Sequence, residues 1–427
     1  DSLLFYLIGK DKLHYAKAGL EMALQAHPKA VELHLNKARL QNKQKEFADS
    51  LALLKRLKLS VPYNPDVHLL LAETYLLSGA RKMALQVFDT LLENAPAASS
   101  EKQMLYYQVA HVFEHYSLFA GVRDYLSRAY EEFPEDNNIL FDLAIAENQT
   151  GNFLRSAKLF ARYIDTDLYS ETAWFQFGVA LTNAQKDTKA LRAYDTAIAL
   201  SAEFPEPYYN KALIYLRNQQ YRDALKPLLE YVALRGNHPQ AYCQIGHCYE
   251  ELEEYAHAVH YFNKAIKLSP RSEKALIGLA TVYFYENDLG RSLGFVQKAL
   301  EVDDENAESW FLYANILRSQ DKPGQAVEAL SKAVSLMPEH DMYWLSLAET
   351  YATQGNFAKA TQVMRQSVQQ LPDSAPLNFR LAAYLLLEER QAEGLKALRK
   401  ALDLDPLQID QFHKAYVATE LDAAVQV

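Results

Sequence analysis

The feature that most limits what this 427-residue chain can become is a repeat of 34 residues. Repeat starts at 31, 65, 103, 137, 171, 205, 239, 273, 307, 341 and 375 bring the sequence into register with one insertion, Ser99 to Lys102. The eighth position then holds a small residue every time: Ala38, Ala72, Ala110, Ala144, Gly178, Ala212, Gly246, Ala280, Ala314, Ala348 and Ala382. The twentieth is small from Ala16, Ser50 and Ala84 to Ala360 and Gly394, with Val122 the exception. Trp174, Trp310 and Trp344 all fall at the fourth position. Within each unit two apolar stretches at helical spacing are separated by polar residues, which predicts a helical hairpin. Small residues at eight and twenty let its two helices approach closely, and the aromatic at four with the residues at 24 and 27 fills the space to the next hairpin. A Pro at position 32, as in Pro62, Pro134, Pro270 and Pro338, ends the second helix because it cannot continue the hydrogen-bond ladder. No single hairpin can bury its apolar face alone, so the units must stack.

Residues 239–272 carry the pattern most fully, with Tyr242, Ile245, Gly246, Tyr249, Ala258, Phe262, Ala265 and Pro270 in the signature places. This pattern resembles the tetratricopeptide repeat and extends over essentially the whole chain, in the manner of long bacterial arrays without an attached catalytic domain. The resemblance implies an all-α fold, a right-handed superhelical α-solenoid of about twelve helix-turn-helix repeats with a C-terminal capping helix. The expected organisation is repeats one to three over 1–98, the first incomplete, an inserted linker and hinge at 99–102, repeats four to twelve over 103–408, and the cap over 409–427. Pro227 is expected to kink the second helix of the seventh repeat. Repeats five, six and seven carry Leu168, Ala202 and Gly236 in place of the closing Pro, so the middle of the array is expected to curve differently.

Composition narrows the function. With 44 Lys+Arg against 54 Asp+Glu the formal charge is -10, so attraction to nucleic acid is not expected and a basic or disordered partner segment suits the chain better. The charge is uneven: residues 1–102 carry 14 basic and 11 acidic residues, a net of +3, leaving -13 for 103–427. Two cysteines, Cys243 and Cys248, make no disulfide framework and point to a reducing compartment. No apolar run approaches membrane-spanning length and no signal peptide is read, so direct membrane insertion is not expected and the location is expected to be cytoplasmic.

In the resembled family the leading helices line a concave groove, with positions two, five, nine, twelve and thirteen facing it. Position five reads Tyr107, Phe141, Phe175, Tyr209, Cys243, Ile277, Phe311, Leu345 and Phe379, rich in rings for an exposed row. Position six reads Gln108, Asp142, Gln176, Asn210 and Gln244, side chains that can hydrogen-bond an extended peptide backbone. That row resembles the asparagine ladder in the repeat domain of O-linked N-acetylglucosamine transferases, although Asn210 is its one Asn. At position nine His111 and His247 join the expected contacts. Asn315 is the one Asn there, so the carboxylate clamp for the tail peptides of the Hsp70 and Hsp90 chaperones is not expected.

Two strings tempt a catalytic reading. His111-Val112-Phe113-Glu114-His115 matches the H-x-x-E-H zinc motif, but its His and Glu occupy groove positions and no third ligand is identifiable. Cys243 to Cys248 fits no standard zinc or redox spacing. No phosphate-binding glycine motif occurs, and no metal or cofactor is expected. The reading is a non-catalytic scaffold or adaptor that binds a peptide segment or partner helix in the groove, best over 103–272. Two alternatives are the recognition arm of a larger glycosyltransferase-like enzyme and a homo-oligomer joined by the terminal helix around Phe412, Tyr416 and Leu421. A solenoid needs its end covered, which favours that helix as a cap.

Overall fold

A computed structural model of the chain describes residues 13–410, 412, 413 and 416, and these are all-helical apart from their turns. The chain divides into two compact units between Asn210 and Lys211. The first holds Leu13–Ala26 (α1), Val31–Lys43 (α2), Phe47–Ser60 (α3), Pro65–Leu77 (α4), Arg81–Asn94 (α5), Ser100–His115 (α6), Phe119–Glu132 (α7), Asn137–Gln149 (α8), Phe153–Thr166 (α9), Glu171–Asn183 (α10) and Asp187–Leu200 (α11). The division falls inside Pro205–Arg217 (α12). The second unit continues with Tyr221–Arg235 (α13), Pro239–Glu251 (α14), Tyr255–Leu268 (α15), Glu273–Tyr285 (α16), Leu289–Val302 (α17), Ala307–Ser319 (α18), Pro323–Leu336 (α19), Asp341–Thr353 (α20), Phe357–Gln370 (α21), Ala375–Leu387 (α22) and Gln391–Leu404 (α23).

Helix bounds keep the 34-residue register. Leading helices occupy positions one to thirteen, trailing helices start at seventeen, and position 34 caps the next leading helix. Side chains of Asn64, Asp136, Ser170, Asn306 and Ser374 each accept a hydrogen bond from a backbone N–H in the first turn beyond them. The hairpin turn is equally regular. Position fifteen has positive φ in all eleven aligned repeats, from Lys45 through Gln185 (58°) and Glu253 (59°) to Gly355 (73°) and Glu389. The position-sixteen N–H then reaches back to the carbonyl at eleven, at 2.8–2.9 Å each time, closing the leading helix as a left-handed cap. Most of these left-handed residues are not glycine, so each such turn stores backbone strain that the hairpin packing outweighs.

The packing that does so is the close approach read from the sequence. Ser50, Ser156 and Ser292 at position twenty are fully buried, and their hydroxyls donate to the position-eight carbonyls of Ala38, Ala144 and Ala280 at 3.3, 2.7 and 2.7 Å. A ring at position 24 lies over position eight. A Cβ on Gly178 would stand 2.5 Å from the Tyr194 ring, and one on Gly246 would stand 2.7 Å from the Phe262 ring. In the fourth repeat, where Val122 breaks the pattern, the small residue has moved one place to Gly121, whose Cβ would lie 2.3 Å from Phe113. Phe113 in turn stacks on Tyr125 with centroids 5.5 Å apart and meets Phe88 at 5.4 Å.

Where position four is a tryptophan, it ties its hairpin to the one before it. The indole N–H of Trp174, Trp310 and Trp344 donates to the position-32 carbonyl of the preceding repeat, at Leu168, Asp304 and Pro338, over 3.0, 2.8 and 2.9 Å. Proline at 32 is not what ends the trailing helix: α9 and α11 stop in the usual register at Thr166 and Leu200 with Leu168 and Ala202 there. The seventh repeat runs one residue longer. Its α13 continues through the buried Pro227 to Arg235 and stops at Gly236, whose φ of 73° cannot extend a helix.

The insertion folds differently from the linker expected of it. Ser99 caps α6, and Ser100 to Lys102 form its first turn. The end of α7 fastens this turn: Glu132 accepts from the Ala98 N–H at 3.0 Å and from the Tyr106 hydroxyl at 3.2 Å, and pairs with Lys102 at 2.9 Å. Burial alone would raise the Glu132 carboxyl, but the Ala98 N–H and the Lys102 ammonium hold it below the usual glutamate value. As a result α5 and α6 approach far less closely than α3 and α4, α7 and α8, or α9 and α10. At the other end Ile409 and Phe412 pack on the core of Ala375, Phe379 and Ala401; Leu421 lies outside the described residues.

Turn strain is directly testable. Gln185→Gly should raise the chain's unfolding midpoint, gaining up to about 1 kcal/mol, whereas Gly355→Ala should lose about the same by forcing a Cβ into a left-handed turn. Chemical unfolding followed by circular dichroism measures both.

Candidate functional site: the groove of the first unit

Within the first unit the leading helices α2 and α4, and α4 and α6, pack on one another, and the space between α6 and α8 is hollow. A cavity of 560 Å³ opens there. Its apolar lining comes from Leu69 on α4, Val122 and Leu126 on α7, and Ile145 and Ala146 on α8. Its polar lining is Tyr107, Gln108, His111 and Glu114 from α6 with Asp142 and Gln149 from α8. A second hollow of 470 Å³ shares Tyr107 and Asp142 and adds Phe141 and Tyr163.

The polar groups are unevenly satisfied. Asp136 caps α8, taking the Asn138 and Ile139 N–H groups at 2.8 and 3.2 Å, the Gln103 amide, and the Tyr107 hydroxyl at 3.3 Å. Burial, with the charges of Asp136 and Asp142 beside it, pushes the Tyr107 phenol up. Gln108 presents an Oε1 that is shut off from solvent and accepts no hydrogen bond. Asp142 is half-buried, and burial together with the negative charges of Glu114 and Asp136 holds its carboxyl above the usual aspartate value. No lysine or arginine lines the cavity. The site therefore has an apolar floor, a buried acceptor without a donor and a carboxylate without a cation.

Of the residues singled out from sequence, Tyr107, Gln108, His111, Phe141 and Asp142 come together at these two hollows. Phe175, Gln176, Tyr209 and Asn210 are half-buried on α10 and α12 and line neither. The ring row is less exposed than expected, because Phe141 packs on Phe160 and Tyr163 at 5.5 and 5.1 Å, and Phe175 packs on Phe204 at 5.2 Å. Further along it Phe379 is fully buried.

Gln244, His247 and Phe311 belong to the second unit. There Gln244 also has a buried, unpartnered Oε1. The His247 ring meets Tyr221 edge-on at 5.5 Å and stands 3.7 Å from the Glu250 carboxylate, whose pairing with it raises the imidazole above its usual value. Glu250 is itself raised, since burial outweighs the pull of the imidazole. Phe311 packs on Tyr343 at 5.0 Å.

Leu69, Glu114, Ile145 and Gln149 stand at positions five, twelve, nine and thirteen, in the register expected to face the groove, whereas Val122 and Leu126 reach the cavity from the trailing helix α7, outside that register. In the structure His111, Glu114 and His115 lie on the exposed side of α6, and among the described residues no three His, Cys, Asp or Glu side chains are placed to hold a metal ion. Cys243 and Cys248 are buried free thiols, and burial pushes Cys248 up to about 12, so it behaves as a core residue. Among the described residues no helix is long and apolar enough to cross a membrane.

The repeat geometry, the hairpin turns and the groove define an all-helical repeat protein, and comparison with known families agrees. Models of the tetratricopeptide repeat match residues 122–171, 239–272, 277–336 and 317–383. The chain belongs to the tetratricopeptide-repeat proteins, whose repeats serve as protein–protein interaction scaffolds. Over 219 residues, 51% of the chain, it is 23% identical to the peroxisomal targeting signal receptor of Eremothecium gossypii, of which it covers 37%. Solved structures similar to it include YrrB, described as a TPR protein with an unusual peptide-binding site, at 20% identity with a TM-score of 0.39 over 44% of this chain and 96% of that one. A tetratricopeptide repeat protein from Parabacteroides merdae aligns at 18% identity and TM-score 0.44 over 58% and 98%.

Asp142 gives a prediction with a fixed sign. A carboxyl whose folded pKa lies above the unfolded value of about 3.9 costs stability at neutral pH, and the cost is relieved as pH falls through the folded pKa. Asp142→Asn should therefore unfold at higher denaturant than the parent at pH 7, with the advantage disappearing as pH approaches the unfolded value. A parent equally stable at pH 7 would show that the carboxylate is not desolvated.

Proposed function

We propose that the chain is a non-catalytic adaptor that holds an extended segment of a protein partner against the leading helices of its first unit, at the gap between α6 and α8. The observation that carries this reading is the cavity itself, with an apolar floor and the half-buried Asp142 carboxylate on its wall. A cavity of this size takes one or two side chains, and an extended backbone along the position-six row keeps donors and acceptors in reach of Gln108 and Asp142. Similarity to a receptor for a targeting signal is consistent with a short peptide as the bound element, and partial coverage of that receptor leaves the ligand to be identified directly.

Position-specific crosslinking tests the reading. A photoreactive side chain at Gln149, on the cavity rim, should capture a defined partner segment in cells, whereas the same group at the exposed Glu131 of α7 should not. Capture at Glu131 with none at Gln149 would place the contact elsewhere on the molecule.

A further inference from the structure

The gap between α6 and α8 has a counterpart inside the second unit, a cavity of 480 Å³ lined by Asn315 and Arg318 of α18 and by Thr350 and Thr353 of α20. The chain fills the electrostatic need of that second gap itself. Arg318, at position twelve of its repeat, reaches across to Glu349 with Nη2 3.2 Å from Oε2. In the first unit position twelve holds Glu114, an acid where the other gap has its cation. The neighbouring Asp142 has Glu114 and Asp136 as its charged influences, both repulsive. Asp136 is engaged as the cap of α8, so Glu114 and Asp142 remain the free carboxylates of the cavity. Leu69, Val122 and Ile145 supply a floor suited to an alkyl stem.

Resting on the adaptor reading above, we propose that this cavity seats one lysine or arginine side chain of the bound segment. Its aliphatic stem lies on Leu69, Val122 and Ile145, and its charged head meets Asp142 and Glu114. A long basic side chain combines an apolar stem with a cationic tip, which is the combination the lining lacks. The bound cation takes the part that Arg318 plays in the second unit, supplied from outside rather than by the chain, with its acids at positions twelve and six instead of nine. Partner segments are accordingly basic at this point, in keeping with the charge of -13 over residues 103–427.

The probe is a phage-displayed library of random linear peptides selected on the intact chain, followed by solution affinities of the enriched peptides. Selected peptides should share a Lys or Arg at one register. Asp142→Asn should weaken them about tenfold or more, as expected when a half-buried charge pair loses one member. Glu131→Gln should leave affinity unchanged, and Ile145→Trp, which fills the cavity, should abolish binding; circular dichroism and the unfolding midpoint confirm that each variant is folded. Enriched peptides that lack a shared basic residue, or that bind Asp142→Asn unchanged, yet are lost on Ile145→Trp, would overturn the cation while leaving the groove. Peptides indifferent to Ile145→Trp, or no enrichment at all, would overturn the groove reading as well.

Discussion

Where the Ser156 hydroxyl donates to the Ala144 carbonyl at 2.7 Å, two helix backbones have come as close as their side chains permit, and the same contact recurs between Ser292 and Ala280. The geometry of each hairpin depends on that approach. It requires a small residue at positions eight and twenty, sets a ring such as Tyr194 or Phe262 over the smaller of the two, and forces the connecting turn through one left-handed residue. Because the strain falls on position fifteen whether or not a glycine is present, packing rather than turn propensity fixes the hairpin. The leading helices are thereby presented side by side in each unit, and whatever lies between them is available to a partner.

The groove of the first unit is interesting where that regularity relaxes. Three added helical residues before position one lengthen α6, Glu132 clamps them, and α5 draws away. In the same repeat the small residue shifts from twenty to Gly121, and Val122 becomes part of a cavity wall. One helix further on α6 and α8 part. The cavity between α18 and α20 in the second unit carries an ion pair of its own, Arg318 with Glu349, whereas the lining of the first has the carboxylates of Asp142 and Glu114 and no lysine or arginine. A half-buried carboxylate such as Asp142, with only repulsive charges beside it, costs stability that a bound cation returns.

Much of this was legible in the sequence because it repeats. Helix bounds, hairpin contacts and cap positions follow from the spacing of Ala38 and Ser50, or of Gly246 and Phe262, since local geometry and packing impose the same answer eleven times. The cavity was not legible, because it depends on what fails to recur. A shift of packing around Gly121 and Val122 and a parting of α6 from α8 have no signature in a 34-residue pattern. Phe141 looked exposed from its register, but its ring lies against Phe160 and Tyr163, contacts that depend on χ angles rather than on position. Glu114, Ile145 and Gln149 were legible as groove positions, but Val122 and Leu126 belong to a trailing helix whose register points to the hairpin core rather than to the groove.

Hydrogen exchange on the intact chain, with and without a bound partner segment, tests the central claim most directly. Amide protection that rises over Ser100–His115 and Asn137–Gln149, with the second unit unchanged, is the result predicted for a segment seated between α6 and α8. Protection confined to residues 211–427, or absent from both of those helices, would contradict it.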